Sequence, residues 1–176
     1  MRPRIRVFYG WWVLLVTAMA LFFSAGSSHW TFTVLLDSMV EEFDTSHSQI
    51  LGVLAFSGIL SAICAPLLGG MVDRYGARSV MTVTLLIYGL TIMGSSQAKE
   101  LWQFYLLYGG GLGVSAAAMW RVGGPAVAAN WFIRKRSIAF ASFSVAAATS
   151  GLIFPMLAQE IVDWKDWRAV WLIFGL

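Results

Sequence analysis

Uninterrupted apolar blocks constrain this chain more than any other feature. Each exceeds the roughly 18 residues at which a membrane span becomes the expected reading. Five full blocks are readable, at roughly 9–36, 49–72, 79–97, 101–128 and 136–159. As a helix, each reaches across the ~30 Å hydrocarbon layer. Composition agrees: 59% of residues are hydrophobic and 12% charged, where a soluble domain has about 45–50% and 25%. A sixth block opens at Trp167 and stops at Leu176. It gives only about 15 Å of helix and is expected to end within the bilayer, as in a fragment. The expected fold is an all-α membrane protein with five full spans and a truncated sixth. Arg2, Arg4 and Arg6 precede the first block as in a signal peptide. That block is too long for a signal core, and more spans follow it.

Charge placement then sets orientation. The N-terminus and the loops near 73–78 and 134–136 hold Arg2, Arg4, Arg6, Arg74, Arg78, Arg134, Lys135 and Arg136. The other connections hold Lys99, Lys165 and Arg168, against Asp37, Glu41, Glu42, Asp44, Glu100, Glu160, Asp163 and Asp166. Eight cations against three predict a cytoplasmic N-terminus. The net charge of +3 therefore reads as membrane orientation and not as nucleic-acid binding. Trp11, Trp12, Trp102, Trp131, Trp164 and Trp167 fall at span ends, as interfacial aromatics do. The single cysteine, Cys64, lies within a span and excludes a disulfide framework or Cys-based metal site. No metal motif appears, and no cofactor is implied.

One short connection stands out: GGMVDRYGAR, residues 69–78. The second span runs toward the cytoplasm, so its inner end is a partly negative helix C-terminus. Arg74 and Arg78 suit that end. Asp73 does not, and it calls for a cationic partner or the positive end of another helix. Gly76 can take the left-handed conformation that ends a helix. Gly69 and Gly70 allow a neighbouring helix to approach closely. The plainer alternative is a tight polar turn with Asp73 simply solvated.

This stretch resembles the cytoplasmic loop signature of the major facilitator superfamily, G-x-L-A-D-R-x-G-R-R. Gly69, Asp73, Arg74, Gly76 and Arg78 fall on matching positions, while Ala77 replaces a usual basic residue. The resemblance implies a latch: acid and basic neighbours hold this loop against the partner half of a transporter. YGWWVLL, LDSMVEEF, WFIRKRSIAFA and DWRAVWLIFGL resemble the oxalate/formate and monocarboxylate porters. By that resemblance the chain is the N-terminal half of a twelve-helix transporter, residues 1–176, with a C-terminal half of the same chain as partner. The branch's G-x-x-x-G-P-x-x-G-G signature is not met in the fifth span, where SGLIFP offers only Gly151 and Pro155. No arginine stands early in the fourth span.

Two ionisable residues lie within spans. Arg121 is deep in the fourth. It either snorkels to the inner surface or lines a cavity and attracts an anion. His29 is in the outer half of the first span. It either hydrogen-bonds a neighbouring helix, or carries a proton or binds substrate. Monocarboxylate porters often carry a lysine about one position on, where Trp30 stands here. His29, Trp30 and Arg121 are thus the candidate substrate-binding residues. His47, beside Asp44, Thr45 and Ser48, reads as solvated. GLGVSA, residues 111–116, matches a dinucleotide fingerprint, but without a preceding strand it reads as close helix packing. Gly109, Gly110, Gly111, Gly113 and Ser115 are expected to face Ser142, Ala146 and Ser150 of the fifth span. Pro66, Pro125 and Pro155 are expected to kink their helices.

The expected function is alternating-access transport of a small organic anion, a mono- or dicarboxylate, across a plasma or inner membrane. A transporter-like sensor or scaffold without transport is the alternative. A membrane enzyme is disfavoured, because no nucleophile–base pair, metal cluster or paired carboxylate lies within the spans.

Overall fold

The computed structural model describes residues 9–132 and 135–176. Arg2, Arg4, Arg6 and Arg134, which enter the charge bias, lie outside the described residues. The described residues form helices α1 (Tyr9–Glu42), α2 (His47–Tyr75), α3 (Ala77–Ser95), α4 (residues 101–131), α5 (Arg136–Trp164) and α6 (Trp167–Gly175), with no strand among them. By length and composition α1, α2, α3 and α5 can each cross a membrane. α4 is interrupted by π turns at Tyr105–Gly110 and Ala117–Gly123, and α1 by one at Gly26–Trp30.

The helices run past their apolar blocks. Residues 37–42, expected as part of a loop, continue α1, because a helix leaving hydrocarbon can carry Asp37, Glu41 and Glu42 in water. α2 starts on a capping box, in which the Ser46 N–H donates to Gln49 Oε1 at 3.2 Å, satisfying donors at the helix start. It stops at Gly76, whose φ of 82° suits glycine and whose N–H donates to the Val72 carbonyl at 2.9 Å. Pro66 and Pro155 sit inside continuous helices, and Pro125 lies in the first turn of the α-helical stretch that resumes at Gly124, after the π turn.

α1 packs on α5, α2 on α4, and α3 on both α4 and α6. This corrects the expected glycine seam, because Gly109, Gly111, Gly113 and Ser115 of α4 face α2 and α3 and not α5, and beside Gly110 there is open space. A Cβ on Gly113 would lie 2.8 Å from the Ser57 carbonyl of α2, and one on Gly109 would lie 2.9 Å from Phe56. Gly111 abuts Thr91 of α3, and Ser115 Oγ donates to the Thr84 carbonyl at 3.3 Å. A small-residue face permits a close crossing but does not name the neighbour, and adjacency along the chain pointed to the wrong one. Ser142 instead bonds its own helix, at the Ile138 carbonyl.

One end of the bundle carries the acids of the 37–44, 100 and 163–166 stretches, and the other carries Arg74, Arg78, Lys135 and Arg136. Near the acidic end an aromatic column fills the core. Phe104 and Tyr108 stack at 5.0 Å and Tyr108 meets Trp171 at 4.9 Å. The acidic end itself is clasped by Arg168 of α6. Its Nη2 lies 2.6 Å from Glu42 Oε1 and its Nη1 donates to the Ser96 carbonyl at 2.6 Å, while Trp167 Nε1 donates to Glu42 Oε2. His47, expected to be merely solvated, lies 2.9 Å from Asp37 with both side chains exposed. Around the waist Ile59, Ile63, Leu67, Leu86, Leu90, Leu106, Leu152 and Met156 point outward. In water such a surface would drive aggregation, whereas hydrocarbon accommodates it without cost.

Candidate functional site

The structure brings His29, Trp30 and Arg121 together on one cavity of about 480 Å³, between α1, α2, α4 and α5. That volume lies in the range of small-molecule sites, about 300–1,000 Å³. His29 and Trp30 arrive on the π turn of α1, Gly26–Trp30, and Arg121 arrives on the π turn of α4, Ala117–Gly123. A π turn inserts an extra residue into the helical phase and re-aims the side chains beside it, which is why such turns gather at functional sites.

Each side chain has a traceable seat. Trp30 Nε1 donates to the Ala147 carbonyl of α5 at 3.2 Å, and its ring meets that of His29 at 5.6 Å. Gly151 makes room for this indole, since a Cβ there would lie 2.8 Å from Trp30 Cε2. The residue that only partly matched a family signature thus has a packing reason of its own. Arg121 Nε donates to Ser61 Oγ of α2 at 3.0 Å. Neither terminal nitrogen of the guanidinium has a hydrogen bond or ion pair among the described residues, and no acidic side chain lines the cavity.

Sequence reasoning passed over Ser28, Ser57, Ser61 and Trp120, which also line the cavity. The signal was present for two of them. Ser57 and Ser61 stand four residues apart in an apolar span, so they share one face of α2. Trp120 reaches the cavity through the π turn, which helical periodicity alone does not reveal.

The loop motif lies elsewhere, at the basic end, and Gly69, Asp73, Arg74, Gly76 and Arg78 do not line this cavity. Asp73 is exposed and has no hydrogen bond or ion pair among the described residues. Arg74 lies over the Tyr75 ring at 5.4 Å. Arg78 borders a separate hollow shared with α1 and α4. Beside Gly69 and Gly70 there is open space, with no atom within 4 Å of a Cβ built at either.

An apolar-skinned helix bundle defines a multi-pass membrane protein, and this one encloses a mostly apolar cavity edged by Arg121, His29 and four serines. The chain belongs to the major facilitator superfamily, whose sequence model matches residues 11–176. It is 32% identical over 97 residues to MFS transporter asaE of Aspergillus flavus, covering 55% of this chain and 22% of that protein. It is 26% identical over 140 residues to the Fujikurins efflux protein of Gibberella fujikuroi, covering 76% of this chain and 30% of that protein. Monocarboxylate transporter 11 of Mus musculus is 26% identical over 170 residues, covering 94% of this chain and 37% of that protein. The chain thus spans well under half the length of these relatives.

Proposed function

We propose that this chain is the N-terminal half of a secondary transporter that carries a small organic anion by alternating access. One observation carries the reading: Arg121 lines a solute-sized cavity that holds no carboxylate of the described chain, and its terminal nitrogens have no partner among the described residues. A cation at membrane depth without a counter-ion is costly, and a bound carboxylate supplies that counter-ion. Ser57, Ser61 and the exposed His29 offer further hydrogen bonds around it. The monocarboxylate named for the mouse relative is the same class of solute. Site and loop have separate tasks. The cavity binds, and the Asp73 loop latches the two halves at the cytoplasmic surface. Uptake of a panel of radiolabelled mono- and dicarboxylates by vesicles bearing the full-length protein tests the reading. Uptake of at least one anion above empty vesicles is expected. Uptake of neutral or cationic solutes alone overturns it.

The orientation that goes with this function puts the N-terminus and the basic end in the cytoplasm. Ser46 and Ser137 sit exposed at opposite ends of the bundle. In a Cys64→Ser background, Ser46→Cys should react with an impermeant thiol reagent in intact cells. Ser137→Cys should react only after permeabilisation. The reverse pattern would invert the topology.

A further inference from the structure

The π turn that carries His29 and Trp30 is held from behind by two tyrosines that do not touch the cavity. Tyr88 of α3 and Tyr108 of α4 are buried, at 4% and 0% exposure. The Tyr88 hydroxyl lies 2.6 Å from Ser27 Oγ and 3.1 Å from the Ser24 carbonyl. The Tyr108 hydroxyl donates to the Ser28 carbonyl at 3.1 Å. Both tyrosines therefore cross from other helices to the backbone of α1, at or just before Gly26–Trp30.

That backbone needs them. A π turn interrupts the regular i→i−4 ladder, and where it is buried against α3 and α4 no water reaches carbonyls left weakly bonded. Local side chains supply part of the repair, with Ser28 Oγ on the Ser24 carbonyl at 2.5 Å and Thr31 Oγ1 on the Gly26 carbonyl at 2.8 Å. These serine and threonine bonds arise within α1 and move with it. The tyrosine bonds do not. They fix the turn relative to α3 and α4, and hence relative to Arg121 on α4.

We propose that Tyr88 and Tyr108 are positioning residues for the solute site. Their hydroxyls stabilise the π phase of α1 and so decide that, of the turn's residues, His29 and Trp30 stand exposed on the cavity that Arg121 also lines. The inference rests on the transporter reading for its purpose, but its test does not require transport. If the turn relaxes to regular α-helix, the extra residue is absorbed and the side chains beyond it rotate by about 100°. The set of cavity-facing positions then moves by about one residue.

The experiment is a cysteine scan of positions 26–33 in the full-length protein with Cys64→Ser, labelled by a small polar thiol reagent, with and without Tyr88→Phe and Tyr108→Phe. In the parent background, cysteine at 29 and 30 should label fastest. In the phenylalanine variants, labelling at these positions should fall roughly five- to tenfold and the fastest position should shift by one, a change of the size one hydrogen bond gives a two-state equilibrium. Phenylalanine keeps each ring and its packing, and each single variant is read separately should the pair together lower abundance. An unchanged pattern in both single variants overturns the proposal, and so does uniform labelling across all positions, which would make the tyrosines general props of the bundle. If the pattern shifts but no organic anion is carried, the positioning stands and the solute assignment falls. Where an anion is carried, the same variants should raise KM more than they lower maximal uptake.

Discussion

Asp73→Asn in the full-length protein is expected to cut transport sharply while leaving membrane insertion and abundance intact. Asp73 lies in the last turn of α2, which ends at Tyr75, so its carboxylate faces the negative end of its own helix. The penalty is about 0.3–1 kcal/mol at an exposed position. A bundle tolerates that much, so removing the charge does not threaten the fold. What the amide loses is attraction to a partner. No cation among the described residues pairs with Asp73, and the space beside Gly69 and Gly70 is open. We propose that the second half of the transporter docks there and supplies the partner. Initial uptake rates, normalised to surface protein, are the measurement. A wild-type rate in Asp73→Asn would leave the aspartate a solvated turn residue and remove the latch.

The bundle was legible because its cause is simple. A backbone in hydrocarbon must satisfy itself, so long apolar blocks become helices. The helix ends were less legible. Past Leu36 the sequence turns acidic, which marks the end of the apolar block but not of the helix, and α1 continues to Glu42. Neighbours were illegible for a related reason. Glycines at 109, 111 and 113 declare that something comes close, and only the folded chain shows that Phe56, Thr91 and Ser57 do.

The cavity lies between these cases. Arg121 and His29 drew notice because ionisable groups are costly inside a membrane. That they share one cavity with Trp30 depends on two π turns, and a periodic reading assumes there are none. Tyr88 and Tyr108 were missed altogether. In sequence a tyrosine in an apolar span is simply amphipathic, and its role emerges only when its hydroxyl reaches the backbone of a helix far away in the chain.

Arg121 gives the largest expected effect on the solute itself. Arg121→Gln should nearly abolish uptake of organic anions, and Arg121→Lys should mainly weaken apparent affinity. Two opposite charges about 4 Å apart attract by about 1 kcal/mol in water but about 4 kcal/mol at the effective dielectric of a partly buried site. Desolvation offsets part of that gain, and the remainder still amounts to roughly ten- to hundredfold in binding. Glutamine keeps hydrogen-bonding capacity and loses the charge, so it forfeits this attraction. Lysine keeps the charge but loses the planar fork that grips a carboxylate at two points. It also loses the Nε donor that reaches Ser61 Oγ at 3.0 Å. An arginine that merely snorkels to the inner surface predicts the opposite pattern. Lysine would then replace it fully, and glutamine would cost little beyond insertion efficiency. Uptake curves for the parent, Arg121→Lys and Arg121→Gln, with an anion the parent carries, separate the two. Near-normal uptake by Arg121→Gln would remove Arg121 from the site, and with it the reason to assign an anion to this cavity.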